Sequence, residues 1–291
     1  MFQREYERMR NDVNRRLETY FEDGAAPSLT EAMRYSVIGG GKRIRAVLVL
    51  AFCKAAGGDE AEALDAACAI ELLHAYSLIH DDLPAMDDDD MRRGKPSNHK
   101  VFGEGRAIIA GDALQAAAFE KLAVGSLPPD RIVRMVSTLA KAVGERGMCA
   151  GQTLDMEAEE RSGVNDISDI RKIHSLKTAA LIEAAAIIGV HSAGGSCEQL
   201  EAASEYAKAV GMAFQIRDDV LDGTATSEQL GKPSGSDAES GKVTFFSELG
   251  TEKCEELIAG ETERAKCAIN MVFADTELLV WLAEKLAVRE K

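Results

Sequence analysis

The sequence contains little of what stabilises or targets several classes of protein. Its 291 residues include 6 cysteines, and none of them forms a Cys-x-x-Cys pair, which argues against zinc ribbons, thioredoxin-type redox sites and disulfide scaffolds. We therefore expect reduced thiols and a cytoplasmic protein. The first residues are charged throughout and no window approaches 18 apolar residues, so we expect neither a secretory signal nor a membrane span.

Proline and aromatic residues are also scarce. Of the 6 prolines, none lies between residues 28 and 83 or between residues 130 and 232. Both stretches are rich in Ala, Leu, Glu and Lys, which favour helices, whereas the aromatic residues that favour strands make up 5% of the chain. The pattern predicts an all-α protein with about ten helices. No Pro/Gly/Ser linker divides it, so we expect one domain over residues 1–291.

The apolar periodicity and the helix-breaking residues place the expected helices. They are Glu5–Tyr20, Ser28 or Thr30 to Ile38, Lys42–Ala56, Glu60–Leu83, Gly103–Gly125, Pro129–Gly147, Ile167–Gly189, Cys197–Asp222, Thr251–Ala274 and Thr276–Val288. The most apolar runs, Ala46–Phe52 and Ala184–Val190, are expected to be buried helix. Residues 223–242 are the longest expected loop, with four glycines and few apolar residues.

The formal net charge of −15 argues against nucleic-acid binding, which requires a basic face. Basic residues nevertheless gather near particular segments. Lys42 and Arg45 follow three glycines at an expected helix start and share one helix face. Further basic residues near these segments are Arg92, Arg93, Lys177 and Lys232. Ordinary surface charge would explain each residue singly, whereas the set fits phosphorylated ligands.

Two clusters of aspartates close apolar helices. In the first, Asp81-Asp82 ends a helix, and Pro84 should let Asp87 fold back towards Asp81. The second has four polar residues at positions i, i+3, i+4 and i+7, which lie on one helix face. They are Gln215, Asp218, Asp219 and Asp222.

A single acidic cluster in an acidic protein is more often a solvated surface. Two clusters beside core helices favour Mg²⁺, which binds a few carboxylates together with water and substrate phosphates. The pair His80-Asp81 leaves a metal-dependent phosphohydrolase open as an alternative. That kind of site requires further histidines, and the chain has 5 in all.

Taken together, these segments resemble those of the trans-isoprenyl diphosphate synthases, and most closely those of the bacterial farnesyl diphosphate synthases. The matching segments are Gly39–Arg45, Asp81-Asp82 with Asp87 and Arg92–Gly94, Gly151-Gln152 with Asp155, Lys177-Thr178, Phe214–Asp222, Gly231-Lys232 and Gly241-Lys242. One departure is Ala46, where the family usually has proline, and Ala is acceptable in a first helical turn.

The resemblance implies a single large helical bundle around a central cavity, normally a homodimer. It implies that isopentenyl diphosphate condenses with dimethylallyl or geranyl diphosphate to give farnesyl diphosphate (C15), with geranylgeranyl diphosphate (C20) as an alternative product. A non-catalytic subunit of a heteromeric synthase is disfavoured, because such subunits typically lose aspartates that are present here.

The resemblance also assigns roles to residues. It implies about three Mg²⁺ ions when the allylic diphosphate is bound. Their ligands would be Asp81, Asp82, Asp87, Asp218, Asp219 and Asp222. The allylic diphosphate would contact Arg92, Lys177 and Lys232, and isopentenyl diphosphate would contact Lys42, Arg45, His74 and Arg93. Thr178 and Gln215 would stabilise the allylic cation, and the catalytic residues would be Asp81, Asp82, Asp87, Lys177, Thr178, Gln215 and Asp218.

Product length is expected to depend on Tyr76 and Ser77. Tyr76 precedes Asp81 by five residues, which is about 7.5 Å along a helix. The resemblance implies that this ring forms a floor that stops growth at C15, with Ser77 beside it. A tyrosine packed in the core is the simpler interpretation, since buried tyrosines are common.

Overall fold

The protein was analysed as a computed structural model that describes residues 1–22, 24–160, 166–224 and 243–289. Within these ranges the chain is almost entirely helical, which confirms the predicted all-α class. The helices are α1 Phe2–Glu18, α2 Pro27–Ile38, α3 Ile44–Ala55, α4 Leu64–Asp81, α5 Asn98–Phe102, α6 Glu104–Ala123, α7 Pro129–Val143, α8 Met148–Glu160, α9 Ile167–His174, α10 Ala180–Ala193, α11 Cys197–Thr224, α12 Phe245–Asn270 and α13 Glu277–Ala287. A 3₁₀ turn spans Thr19–Phe21, and a π-helical turn, Ser175–Ala179, joins α9 to α10.

The sequence pattern misses two helices and one helix start. It predicts neither α5 nor α8, and α8 carries Gly151, a poor helix former, in its first turns. The expected cap of α2 by Ser28 or Thr30 is wrong. That helix begins at Pro27, whose fixed φ suits a first helical position, and Ala26 precedes it without a side-chain cap.

The centre of the bundle is α10, which packs against α3, α4, α7 and α11. Its apolar run Ala184–Val190 and the run Ala46–Phe52 of α3 are buried, as the sequence predicts. The continuous helical stretch Ile167–Ala193 is long and apolar enough to cross a membrane, by length and composition only. Its most apolar window is 56% buried inside the protein, which is typical of a core helix and is weak evidence for a span.

A buried ion pair fixes the start of α3. Arg43, which precedes α3, has a positive φ of 55° and is 4% exposed. Its Nη1 lies 3.2 Å from Glu71 Oε2 on α4, its Nε donates to Asn14 Oδ1 of α1 at 2.9 Å, and its Nη2 donates to the Val37 carbonyl of α2 at 2.5 Å. One side chain therefore connects three other helices to the point at which α3 begins.

We expect Glu71→Ala to lower the free energy of unfolding by about 3 to 5 kcal/mol, because it leaves the buried Arg43 charge without its carboxylate. Urea denaturation measures this change. The matched control is Glu60→Ala, which removes the partner of the half-exposed Arg8 (Nη2–Oε2 2.6 Å) and should cost less than about 1 kcal/mol. Equal, small effects of the two substitutions would contradict the structural role of the buried pair.

Candidate active site

The first aspartate cluster lies at the end of α4, and the chain turns back there as the sequence predicts. The Asp87 amide donates to the Asp81 carbonyl at 2.9 Å, three residues after Pro84. Burial raises the pKa of Asp81 to about 6, the nearby Lys177 ammonium opposes the rise, and the Asp87 carboxylate adds to it. A carboxylate in these surroundings requires a cation to remain ionised at little cost.

A hairpin places two neighbouring arginines on different partners. Its strands are β1, Met91–Arg92, and β2, Lys95–Pro96, and its two turn residues, Arg93 and Gly94, both have positive φ, as a type I′ turn requires. Arg92 donates through Nε to Asp82 Oδ1 at 2.8 Å and through Nη2 to Asp89 Oδ2 at 2.9 Å. Asp82 is 2% exposed, so its buried charge is paired with Arg92.

Arg93 belongs to a separate basic group. Its Nη1 donates to the Gly40 carbonyl at 2.6 Å, and its Nη2 lies 3.5 Å from His74 Nε2. Burial, together with the positive charges of Arg45 and Arg93, holds the pKa of His74 well below its usual range, so this ring is neutral near neutral pH. The Nε of Arg45 is buried without a hydrogen-bond partner, and an anion beside it would supply one. Lys42 is exposed.

Lys177 and Thr178 lie on the π-helical turn between α9 and α10. Such turns are frequent at functional sites, because the widened ring redirects side chains. Lys177 Nζ lies 2.6 Å from Asp155 Oδ2 on α8, and Asp155 is 4% exposed. A Cβ atom at position 151 would lie 2.2 Å from the backbone nitrogen of Lys177, so only glycine lets α8 approach this turn so closely. The pairing of Lys177 with Asp155 is not predicted by the sequence.

The second aspartate cluster lies on α11, and its members have different surroundings. Asp219 is 7% exposed and accepts from the Phe245 amide, at the start of α12, at 2.9 Å. Asp222 is also buried. Asp218 contacts the guanidinium of Arg289, which lies 3.8 Å from the centroid of the Phe214 ring. No sequence signal points to Arg289.

A cavity of about 410 Å³ lies between α4, α8 and the π-helical turn. Of the predicted site residues, the following line it: Arg45, His74, Tyr76, Ser77, Asp81, Lys177 and Thr178. Arg92, Arg93 and Asp82 border a smaller adjoining pocket instead. Among the described residues, those of α11 are not part of the lining of the larger cavity, and Lys232 lies outside the described residues.

One further acidic group lies on the hairpin side of the first cluster. Ligand atoms of Asp88, Asp90 and His99 lie within 4.8 Å of one another. The ammonium of Lys100 is 2.6 Å from Asp90 Oδ1 and already supplies this group with a cation. These residues do not line the larger cavity, and the sequence does not predict this group.

An all-helical bundle around a cavity with a charged end is characteristic of the isoprenoid synthases, and solved structures with this fold are isoprenyl diphosphate synthases. The sequence matches the family described as polyprenyl synthetase over residues 26–271. The chain belongs to the polyprenyl synthetase family, which confirms the resemblance found in its motifs.

The relatives of the chain carry different product names. Geranylgeranyl pyrophosphate synthase 3, chloroplastic, of Arabidopsis thaliana is 48% identical over 235 residues, which are 79% of this chain and 65% of that protein, slightly less than two thirds of its length. The solved structure of an FPP/GFPP synthase from Zymomonas mobilis is 35% identical, covers 98% of both chains and has a TM-score of 0.88. A geranylgeranyl pyrophosphate synthetase from Pyrococcus horikoshii is 34% identical with a TM-score of 0.89, over 99% of this chain and 98% of that one.

The residues at the charged end fit a hard divalent cation. Burial raises the pKa of the Asp81 carboxyl and the negative charge of Asp87 adds to the rise, and the donors are all carboxylate oxygens, which Mg²⁺ prefers. Asp81, Asp87 and Asp218 would hold such an ion, Asp218 after releasing Arg289, whereas Asp82 pairs with Arg92 and Asp219 accepts from the Phe245 amide. The assignment as metal ligands stays a prediction for all six aspartates, which are Asp81, Asp82, Asp87, Asp218, Asp219 and Asp222.

The half-buried Asp81 carboxyl leads to a prediction about stability without metal. Because its pKa is raised in the folded protein, its stabilising contribution is present below the unfolded pKa and is lost as the pH rises through about 6. We expect Asp81→Asn to raise the free energy of unfolding in EDTA by about 1 to 3 kcal/mol at a pH of about 7.5, and the gain to shrink towards zero at a pH of about 4. Urea denaturation at the two pH values measures it.

The neighbouring Asp82→Asn is the control, and its effect should have the opposite sign. It removes the carboxylate that neutralises Arg92 in a buried place, so we expect lower stability at the same pH. A loss of stability in Asp81→Asn at neutral pH would contradict the account of that carboxyl.

Proposed function

We propose that this protein is a Mg²⁺-dependent prenyltransferase. It would condense isopentenyl diphosphate with dimethylallyl or geranyl diphosphate, giving farnesyl diphosphate and diphosphate. The observation that carries the proposal is the composition of the cavity lining: charged side chains such as Asp81 and Lys177 line it together with apolar ones such as Met148 and Leu181. A ligand with a charged head and a hydrocarbon tail matches both parts.

The charged end would bind the allylic diphosphate. Asp81, Asp87 and Asp218 would hold Mg²⁺, which when bound neutralises negative charge on the departing diphosphate. Lys177 is held by Asp155 at 2.6 Å, so its ammonium has a fixed position from which it adds positive charge to the same group. The contact between Arg289 and Asp218 would have to break when this carboxylate binds metal.

The basic group would bind isopentenyl diphosphate without metal. Arg45 offers a buried Nε that lacks a partner, and Arg93 is anchored to the Gly40 carbonyl. His74 is neutral, so the ring can accept from Arg93 and donate to a phosphate oxygen through its other nitrogen. A diphosphate beside Arg45 and Arg93 would supply negative charge and so relieve the repulsion between these two guanidinium groups.

The cation formed when the allylic C–O bond breaks requires electron-rich neighbours. Thr178 lines the cavity on the π-helical turn, and its hydroxyl oxygen can face the developing charge. Gln215 would contribute its amide oxygen from α11. The alkene of isopentenyl diphosphate then forms the new C–C bond, and the proton is lost to the released diphosphate.

Product length has two candidate values. Tyr76 lines the cavity, and its ring packs edge-on against His80 with a centroid distance of 4.8 Å, which places a bulky group about 7.5 Å along α4 from Asp81. This floor favours C15, with Ser77 beside it. The names of the Arabidopsis and Pyrococcus relatives favour C20.

Product analysis tests the reaction and the floor together. We expect the pure protein with Mg²⁺, isopentenyl diphosphate and dimethylallyl diphosphate to yield farnesol after phosphatase treatment. Tyr76→Ala should lengthen the product, because it opens the cavity below the charged end. Tyr76→Phe keeps the ring and should keep C15. Unchanged C15 product from Tyr76→Ala would refute the floor, and geranylgeraniol from the wild type would keep the chemistry and change the length.

We also propose that the protein is a homodimer, as the resemblance implies. On α6 the residues Ile108 and Ile109 are 44% and 55% exposed. Gly105, Asp112 and Ala116 are exposed along the same face, at helical spacing. A helix face of this kind is suited to pack against its own copy, since two small and two branched apolar residues allow close approach.

Ile109→Glu should convert the dimer to a monomer, because it places a charge in the centre of this face. Sedimentation velocity measures the change. Val133→Glu on α7 is the control, since Val133 is 66% exposed and lies on another helix. A wild-type protein that sediments as a monomer would contradict the proposal.

A further inference from the structure

The floor of the cavity is built by two helices. Tyr76 comes from α4, and Cys149, in the first turn of α8, lines the same cavity. Burial raises the pKa of Tyr76, and the Cys149 side chain, although 73 positions away in the sequence, lies close enough to add to the rise. The Tyr76 ring also packs edge-on against His80. The ring therefore has the His80 imidazole against it and the Cys149 side chain nearby.

The two residues lie at a similar depth in the cavity. Tyr76 precedes Asp81 by five residues, or about 7.5 Å of helix, and Cys149 precedes Asp155 by six residues, or about 9 Å. Asp81 and the Lys177–Asp155 pair mark the charged end on their respective sides. A hydrocarbon tail that extends from this end would therefore meet the tyrosine and the cysteine together.

We propose that Cys149 determines product length jointly with Tyr76, an inference that rests on the proposed prenyltransferase function. The cysteine side chain is small, so the space opposite the Tyr76 ring is set by the volume of one sulfur atom. A larger side chain at position 149 closes the tail cavity, and a smaller one opens space beside the ring.

Cys149 differs in this respect from the other cysteines. Cys53, Cys68 and Cys254 are buried, whereas Cys149, Cys197 and Cys267 are exposed, and of these three Cys149 is the one that lines the cavity. Other residues of α8, such as Met148 and Thr153, also line the cavity, and Cys149 is the one whose side chain affects the pKa of Tyr76.

Three substitutions at this position separate volume from hydrogen bonding. Cys149→Phe should stop growth at C10: condensation with dimethylallyl diphosphate continues near the wild-type rate, and kcat/KM for geranyl diphosphate falls at least about tenfold, the scale at which a pocket rejects added bulk. Cys149→Ala should increase the fraction of products longer than C15. Cys149→Ser keeps a small hydrogen-bonding side chain and should keep the wild-type distribution.

The readout is the ratio of kcat/KM for the two starters, with product sizes from the dephosphorylated alcohols. A general folding defect lowers both condensations and cannot produce this split. Cys197→Phe, at the exposed start of α11, is the control for a bulky residue replacing a cysteine. In the double variant Tyr76→Ala/Cys149→Ala, the change in product distribution should differ from the sum of the two single changes, because substitutions at neighbouring residues are coupled.

The outcomes distinguish this inference from the function on which it rests. A wild-type protein that forms no prenyl product overturns the proposed function, and the role of Cys149 with it. If the wild type forms product and both Cys149→Phe and Cys149→Ala keep its product length, the role of Cys149 is overturned and the proposed function stands. Additive effects of the Tyr76 and Cys149 substitutions would show that each residue acts alone and would overturn the joint floor.

Discussion

The ion pair between Arg92 and Asp82 is the interaction on which the arrangement of the site depends. Two adjacent aspartates at the end of α4 cannot both remain charged beside a core without partners. Arg92 neutralises Asp82 at 2.8 Å and leaves Asp81 on the cavity wall. Because Arg92 and Arg93 are neighbours in one tight hairpin, the same anchoring places Arg93 beside His74. The acidic and basic halves of the site are therefore positioned by one short segment.

Other parts of the site also place a charged residue that is paired within the protein close to a second residue of the same charge. Arg43 is paired with Glu71, while Arg45, two residues later, has a buried Nε without a partner. Asp219 accepts from the start of α12, while Asp218 is held by the side chain of Arg289. In each of these pairs of nearby like charges, at least one member has a partner within the fold. A protein built in this way keeps charges rigid at a site where they would otherwise repel each other, and a charged ligand supplies the missing partner.

The sequence predicts the parts of this site that depend on local geometry. The return of Asp87 towards Asp81 follows from Pro84, and the one-sided aspartates of α11 follow from helical spacing. Contacts between distant segments, in contrast, are not predicted by the sequence. Glu71 is 28 positions from Arg43, and Asp155 is 22 positions from Lys177, and neither pairing leaves a pattern in the sequence. Helix α8 is missed for a related reason: the turn at Lys177 requires Gly151, and this glycine lowers the helix propensity of the segment.

Similarity of the overall fold says little about product length. Structures with TM-scores of 0.88 and 0.89 to this chain bear names that refer to different products. The backbone is therefore shared among proteins named for different products, and a difference in tail length has to arise from side chains that line the cavity. At its floor the chain places one tyrosine against one cysteine, and a change of a few methylene volumes there is comparable to the step between successive products. The charged end has less freedom, because Asp82 and Lys177 are each paired with a charged side chain there.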